Sequence, residues 1–322
     1  MDLQDIRAAH DRIRPYTKRT PLEYSATLSQ RLGARIFVKY ELFQKTGSFK
    51  ARGAFNKLLL LTAEERSKGV VAVSGGNHAQ AVAYASRTLG VDSVIVMPDN
   101  TPRNYVDATR DYGATILLKP SLAEAFDEAR RYQEEGRVFF HPFDDVEIMA
   151  GQGTVGLEIV KDLPDVTDVI VSIGGGGLAG GVAAAVKLMM PQTRIWGVET
   201  VGADAMSQAL AAGHPVELSA ITSIAKTLGA PYVSQSTLEL AQKYLESVTV
   251  VSDMEAVDAL RYIAERLKVI TEPAASCTLA AADKLRANFS GESRVVLILC
   301  GGNISISDIC GYTSMIDSKN VR

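Results

Sequence analysis

The strongest constraint on this chain is an alternation. Short, nearly all-apolar runs recur, and each is followed by a stretch with helical spacing. "RIFVKYE" (35–41), "VVAVS" (70–74), "SVIVMP" (93–98) and "TILLK" (115–119) read as strands. Residues 47–62, 78–90, 102–113 and 121–136 read as helices, the first with Ala54, Leu58 and Leu61 at helical spacing. A second series repeats the pattern, with strands at 168–173, 194–200, 247–252 and 294–300 and helices at 178–190 and 253–268. Asp253 reads as the N-cap of that last helix. Strands this apolar imply parallel sheets covered by helices on both faces. The fold class is therefore α/β, with two doubly wound open sheets. The chain leaves the first series near 141–150. Two such units leave a cleft, and ligands sit outside the carboxyl ends of the strands.

A chain of 322 residues suits two domains and a core that needs no disulfides. The net charge is -3 and no basic run appears, so nothing calls for nucleic acid or an acidic membrane. Cys277, Cys300 and Cys310 are too few for a disulfide framework and point to a reducing cytosol. The N-terminal stretch is charged, unlike a signal peptide, and the apolar stretches are too short or glycine-interrupted to span a bilayer. His10, His78, His141 and His214 show no pair at metal-ligand spacing, which argues against a zinc enzyme. A Ser-His-Asp hydrolase lacks its G-x-S-x-G elbow.

The unusual residues gather at strand ends. "LFQKTGSFKARGA" (42–54) sets Lys50 at a helix start, where a cation opposes the helix dipole. Its neighbours Lys45 and Arg52 read as ordinary solvated residues. Ser74, Gly75, Gly76, Asn77 and His78 open the helix after 70–74. Main-chain amides and polar side chains there suit a carboxylate, while the plainer reading makes Ser74 a helix cap. Gly174 to Gly177 precede Leu178 at another helix start and read as an anion cradle for phosphate. Cys300, Gly301, Gly302 and Asn303 end the last strand.

Gly175, Gly177 and Gly180 also fit G-x-G-x-x-G, with Glu199 about 20 residues on, as in a dinucleotide fingerprint. A nicotinamide-dependent oxidoreductase is the alternative reading, and it leaves Lys50, Asn77 and Cys300 without a role. One lysine in an apolar setting, one phosphate loop and one carboxylate loop together describe a different enzyme. It forms a Schiff base with a phosphorylated aldehyde cofactor and acts on amino acids.

"FQKTGSFKARGAFN", "SGGNHAQAVAYA", "AGQGTVGLEI", "GGGGLAGG", "ITEPAAS" and "CGGNIS" occur in that order. The chain thereby resembles the serine/threonine dehydratase and serine racemase family over about residues 5 to 310. The resemblance implies a fold-type II pyridoxal-phosphate enzyme, similar to the tryptophan synthase β subunit. It implies a large cofactor-binding domain from residues 1–45 and 146–322, and a small domain, 46–145, covering the cleft. Lys50 matches the lysine that carries the cofactor, with Phe49 beside the ring. Asn77 matches the asparagine that bonds the ring hydroxyl oxygen. Gly174, Gly175, Gly176, Gly177 and Leu178 match the phosphate loop. Cys300 matches the residue facing the ring nitrogen, and Glu272 a carboxylate on that side. Ser74, Gly75, Gly76, Asn77 and His78 match the substrate-carboxylate loop. The implied reaction is β-elimination from a 3-hydroxy amino acid such as L-threonine or L-serine, giving a 2-oxo acid and ammonia. A cytoplasmic homodimer is the corresponding expectation.

The chain departs from the family pattern in places. Racemase members carry a second serine where Gly75 stands, so dehydratase activity with little racemisation is expected. Racemase-like members hold a divalent cation through a strand-end Glu, a carbonyl and an Asp. Here Glu199 and Ala203 match the first two, Ala205 stands at the third, and Asp204 is one place off. A mono- or divalent cation at Glu199 and Ala203 and a plain strand-end carboxylate are both open readings. "IAKT" replaces the family's "IADG", bringing in Lys226. Lys226 reads as a surface lysine, or, if it reaches the site, as an attraction for a second carboxylate or a change of substrate. Another 3-hydroxy amino acid, of the 3-hydroxyaspartate or phenylserine type, is the alternative substrate. Only 19 residues follow Asn303, so no regulatory domain is expected after the last motif.

Overall fold

A computed structural model of the chain describes residues 1–320. Among these residues ten strands form two sheets. They are β1 (Leu22–Tyr24), β2 (Arg35–Lys39), β3 (Val70–Val73), β4 (Ser93–Pro98), β5 (Thr115–Lys119), β6 (Val138–Phe139), β7 (Asp168–Ser172), β8 (Arg194–Thr200), β9 (Ser247–Val251) and β10 (Arg294–Ile298). The larger sheet has the order β1-β2-β10-β7-β8-β9, and the smaller one β5-β4-β3-β6. All pairings are parallel except that of β1 with β2. The α/β class and parallel sheets expected from the alternation are present. The sequence reading omits β1 and β6, which are edge strands of three and two residues, too short to carry a period.

Every residue of β3 and of β7 is buried, because helices cover both faces. Burying one such valine or isoleucine contributes about 1.5–3 kcal/mol. The core of the larger sheet includes Ile36, Val38, Val171, Val198 and Val296, and that of the smaller one Val70, Ala72, Ile95 and Met97.

The "AGQGTVGLEI" motif lies within the Val146–Asp162 helix and has a packing role. A Cβ on Gly151 would stand 2.6 Å from Gly53 Cα, and one on Gly156 2.8 Å from Ala185 Cβ. A Cβ on Gly181 would meet Met149 O. The helices Lys50–Leu60, Val146–Asp162 and Gly177–Met189 therefore cross in near backbone contact. That close crossing brings the lysine-bearing helix against the one that follows the glycine loop.

Two helix starts differ from the sequence reading. The first helix begins at Lys50 rather than 47, because Thr46 (φ 59°) and Gly47 (φ 71°) both adopt left-handed backbone. The Asp253–Leu267 helix is capped by Ser252, whose side chain accepts from Glu255 N in a capping box, and not by Asp253. Among the described residues no helix is long and apolar enough to cross a membrane.

Candidate active site

The four loops singled out above converge on one cavity of about 590 Å³. Gly47 turns the chain, and a Cβ there would stand 2.6 Å from Asn303 Oδ1. Ser48 then pairs with Gly301, Phe49 N donates to Cys300 O at 3.1 Å, and Gly302 N donates to Gly47 O at 3.0 Å. The lysine segment is thus stitched to the loop after β10. Lys50 lines the cavity, 5.3 Å from the Phe49 ring centroid, and its Nζ donates to Pro142 O at 2.6 Å. Burial lowers its pKa to about 8, against the opposing pull of Cys300 and Glu272. A neutral amine is therefore accessible near physiological pH.

Gly174 to Gly177 pass from β7 into the Gly177–Met189 helix, which no side chain caps. The first-turn amides are left for an anion. The surrounding packing requires the glycines. A Cβ on Gly175 would enter the Phe143 ring, one on Gly174 would stand 3.2 Å from Leu228 Cα, and one on Gly176 2.7 Å from Thr237 Cβ. Gly176 also has φ +93°. The Asn77–Leu89 helix is likewise uncapped by any side chain, and Ser74, Gly75, Gly76, Asn77 and His78 line the cavity at its start. Ser74 Oγ accepts only from Gly76 N, two residues on, so it does not cap that helix. His78 Nε2 faces Phe140 O at 2.9 Å, and burial, then Lys50, lowers its pKa well below the usual value. Its imidazole is neutral.

Cys300 and Glu272 stand together on another wall. Burial raises the Cys300 thiol well above its ordinary pKa, so it remains a neutral S–H. Glu272 Oε1 accepts from Asn77 Nδ2 at 2.8 Å, and Asn77 Oδ1 accepts from Asn303 Nδ2 at 2.7 Å. Glu272 Oε2 is buried and has no hydrogen-bond partner. Burial pushes the Glu272 carboxyl up to about 7, with Asn77, Thr227 and Lys50 pulling it down.

Sequence reasoning misplaces one charge here. Arg52 is not solvated but fully buried (1% exposed). Its Nε and Nη2 each reach Glu41 at 2.8 Å, and Nη1 and Nη2 reach Glu158 at 2.8 and 2.9 Å. Lys39 Nζ completes the group on Glu158 at 2.6 Å. Two cations and two carboxylates leave the cluster neutral. It locks the helix two residues beyond Lys50. Lys45 is half-buried. Asn303, from the loop after β10 already singled out, also shapes the site, as do Phe143, Leu228 and Tyr105, which no local pattern marks. Tyr105 donates its hydroxyl to Asn303 O.

Lys226 is exposed and also lines the cavity. Asp253 anchors the segment before it, accepting from Ser223 Oγ at 2.6 Å and Ile224 N at 3.1 Å. Glu199 lies at the end of β8, where its carboxylate accepts from Met206 N, Ser207 N and Ser207 Oγ at 2.7–2.8 Å. It thereby caps the Ala205–Ala212 helix. Burial pushes Glu199 up to about 7. Ala203 is buried and bonds Thr200 O through its N–H. Among the described residues no group of three or more His, Cys, Asp or Glu side chains could hold a metal.

These features fit pyridoxal phosphate. A primary amine of depressed pKa suits the aldehyde, an uncapped glycine-rich helix start suits the phosphate, and a neutral thiol and an unpartnered carboxyl oxygen offer polar contacts to a ring. The fold and the site together define a fold-type II pyridoxal-phosphate enzyme.

Known proteins agree. A family model described as pyridoxal-phosphate dependent enzyme matches residues 13–301. An L-threonine ammonia-lyase of Thermotoga maritima is 41% identical over 310 residues, 95% of this chain and 77% of the relative. A catabolic L-threonine dehydratase of Staphylococcus aureus is 38% identical over 319 residues, 97% of this chain and 91% of the relative. Maize serine racemase superposes with a TM-score of 0.93 at 37% identity, covering 100% of this chain and 99% of that one. The chain belongs to the pyridoxal-phosphate-dependent enzyme family and is a lyase of the ammonia-lyase type. The nicotinamide alternative falls with this match, and Glu199, which it needs for a ribose, has both carboxylate oxygens bonded.

Proposed function

We propose that this enzyme eliminates the β-hydroxyl of L-threonine or L-serine as water, regains that water when the imine hydrolyses, and so releases the 2-oxo acid and ammonia. One observation carries the reading. An amine of lowered pKa, Lys50, lines a cavity into which two uncapped helix starts open, Gly174–Gly177 and Ser74–His78. The dehydratase and ammonia-lyase names of the relatives support the same chemistry.

When bound, pyridoxal phosphate supplies an electron sink for the pair left at the substrate α-carbon. Main-chain N–H groups of Gly174 to Leu178 would hold its phosphate. Phe49 would flank the ring, and Asn77, Cys300 and Glu272 would supply its polar contacts. The loop from Ser74 to His78 takes the substrate carboxylate, chiefly through amides at the helix start. Lys50, freed as a neutral amine, takes the proton from the α-carbon. The β-hydroxyl then leaves as water. The Cys300 thiol stays neutral and would add no charge to a ring held there. The enamine product becomes an imine, which takes up water to give the 2-oxo acid and ammonia.

Residues 46–145 form the smaller domain over the cleft in this reading, and 1–45 with 146–322 the larger. The family expectation of a cytoplasmic homodimer completes it, and sedimentation checks the assembly. The deciding experiment incubates the purified enzyme with L-threonine and L-serine and measures 2-oxo acid and ammonia. Equal amounts of the two products are expected. A protein without the visible band of bound aldehyde, or one that releases no ammonia, would overturn the proposal.

A further inference from the structure

Lys226 opens the short turn Lys226–Leu228, which sits between the two anion loops. Thr227 Cγ2 lies 3.5 Å from where a Gly76 Cβ would stand, and Leu228 Cα lies 3.2 Å from a Gly174 Cβ. The turn is fixed by Leu228 N to Ala225 O at 2.8 Å and Gly229 N to Lys226 O at 3.1 Å. Asp253 pins the chain just before it through Ser223 and Ile224. The root of Lys226 is therefore held beside the substrate loop. Its ammonium has no hydrogen-bond or ion-pair partner among the described residues.

The nearby anions do not account for it. Glu272 and Asp308 share with Lys226 a recess of about 30 Å³ beside the main cavity. Glu272 is bonded to Asn77, and its carboxyl is held by Asn77, Thr227 and the charge of Lys50. Asp308 accepts from Ser305 Oγ at 2.7 Å. The other titratable groups lining the main cavity are Lys50 and, all held neutral, Cys300, Tyr105, Tyr232 and His78. A monocarboxylic substrate places its one carboxylate on the Ser74–His78 loop and offers Lys226 nothing. An aromatic side chain would meet Phe143 and Tyr232 and leave the ammonium unpaired.

We propose that Lys226 binds a second carboxylate, so that the preferred substrates are 3-hydroxy amino acids with an acidic side chain, 3-hydroxyaspartate being the simplest. This rests on the lyase reading above and names its substrate class. The chemistry is unchanged. The α C–H and β C–O bonds break, and the water lost is regained when the imine hydrolyses. The net products are a 2-oxo dicarboxylate and ammonia. A charge-assisted bond in a partly enclosed cavity discriminates strongly against a substrate that cannot form it.

The test compares kcat/KM for 3-hydroxyaspartate, L-threonine and phenylserine on the holoenzyme and on Lys226→Ala and Lys226→Arg. The wild type should favour 3-hydroxyaspartate. Lys226→Ala should lose at least about tenfold on it, the scale of one hydrogen bond to a charged group, and leave threonine unchanged. Lys226→Arg should retain most of the activity. Calorimetric binding of unreactive succinate should be lost in Lys226→Ala. Equal losses on threonine and 3-hydroxyaspartate would make the lysine a general aid to the α-carboxylate and overturn the proposal. So would preferred turnover of phenylserine, or unchanged succinate binding. Turnover of threonine without 3-hydroxyaspartate refutes this inference alone, whereas ammonia from none of the three refutes the lyase reading too.

Discussion

Phe49 and Cys300 are joined main chain to main chain, N–H to carbonyl at 3.1 Å, across some 250 residues of sequence. The residue proposed to flank the ring and the thiol proposed to face it therefore cannot move independently. Lys50, the next residue, inherits that position. The lysine is placed by a strand-like stitch before it and by the buried Arg52 cluster after it.

Replacing Lys50 should test the first consequence. Lys50→Ala removes the amine proposed both to bond the cofactor and to take the α-proton. Turnover should fall by at least about a thousandfold, and borohydride should no longer fix the cofactor to the protein. Lys45→Ala should leave both readouts near wild type, because Lys45 does not line the cavity. A Lys45 variant as inactive as the Lys50 variant would contradict the assignment.

The pH dependence follows from the lowered pKa of Lys50. The folded value, about 8, lies below the ordinary 10.5. In the native protein the neutral amine therefore predominates above about pH 8, while the unfolded chain keeps the proton until about 10.5. Capture of pyridoxal phosphate by cofactor-stripped enzyme should accelerate up to about pH 8 and then level off. Stopped-flow absorbance from pH 6 to 10 checks this, and a rate still climbing at pH 10 would refute it. The same group should raise the stability of the stripped protein between about pH 8 and 10.5, where only the unfolded chain still binds the proton.

Arg52→Met should be costly. It leaves Glu41 and Glu158 buried with only Lys39 to balance them, a loss of about 3–5 kcal/mol for breaking such a group. Urea unfolding at pH 7 measures this. Arg52→Met should also weaken cofactor retention, because the helix carrying Lys50 loses its anchor. A change below about 0.5 kcal/mol, the scale of a surface substitution, would show that Arg52 is solvated after all.

Racemisation should be slight. At Gly75 there is no side chain to serve the face opposite Lys50, and a Cβ there would stand 2.6 Å from Thr101 Oγ1. Chiral chromatography of L-serine after incubation should show D-serine only in traces. Gly75→Ser should not install racemisation, because Thr101 occupies the required space. Gly75→Ser with Thr101→Ala relieves that contact and is the variant in which D-serine should rise.

The elements legible in the sequence are those governed by local rules. The period of apolar residues marks β3, β4, β7 and β10, and glycine-rich helix starts mark the anion loops. Lys50 announces itself as a cation at the wrong end of a helix. The close crossing at Gly53, Gly151 and Gly181 was visible only as glycines within motifs, because close approach of two backbones depends on both partners.

What the sequence by itself determined is the α/β alternation, the Gly174–Gly177 and Ser74–His78 loops, and Lys50 as a cation set at a helix start, since each rests on neighbours within a few residues. Only the tertiary structure decided which charges are buried. Arg52 meets Glu158 from 106 positions away, and Asp253 bonds Ile224 from 29 away instead of capping its own helix. Lys226 came to line the active-site cavity because Asp253 and Leu228 hold its turn there. Burial and pairing are set by partners distant in sequence, and no local period records them.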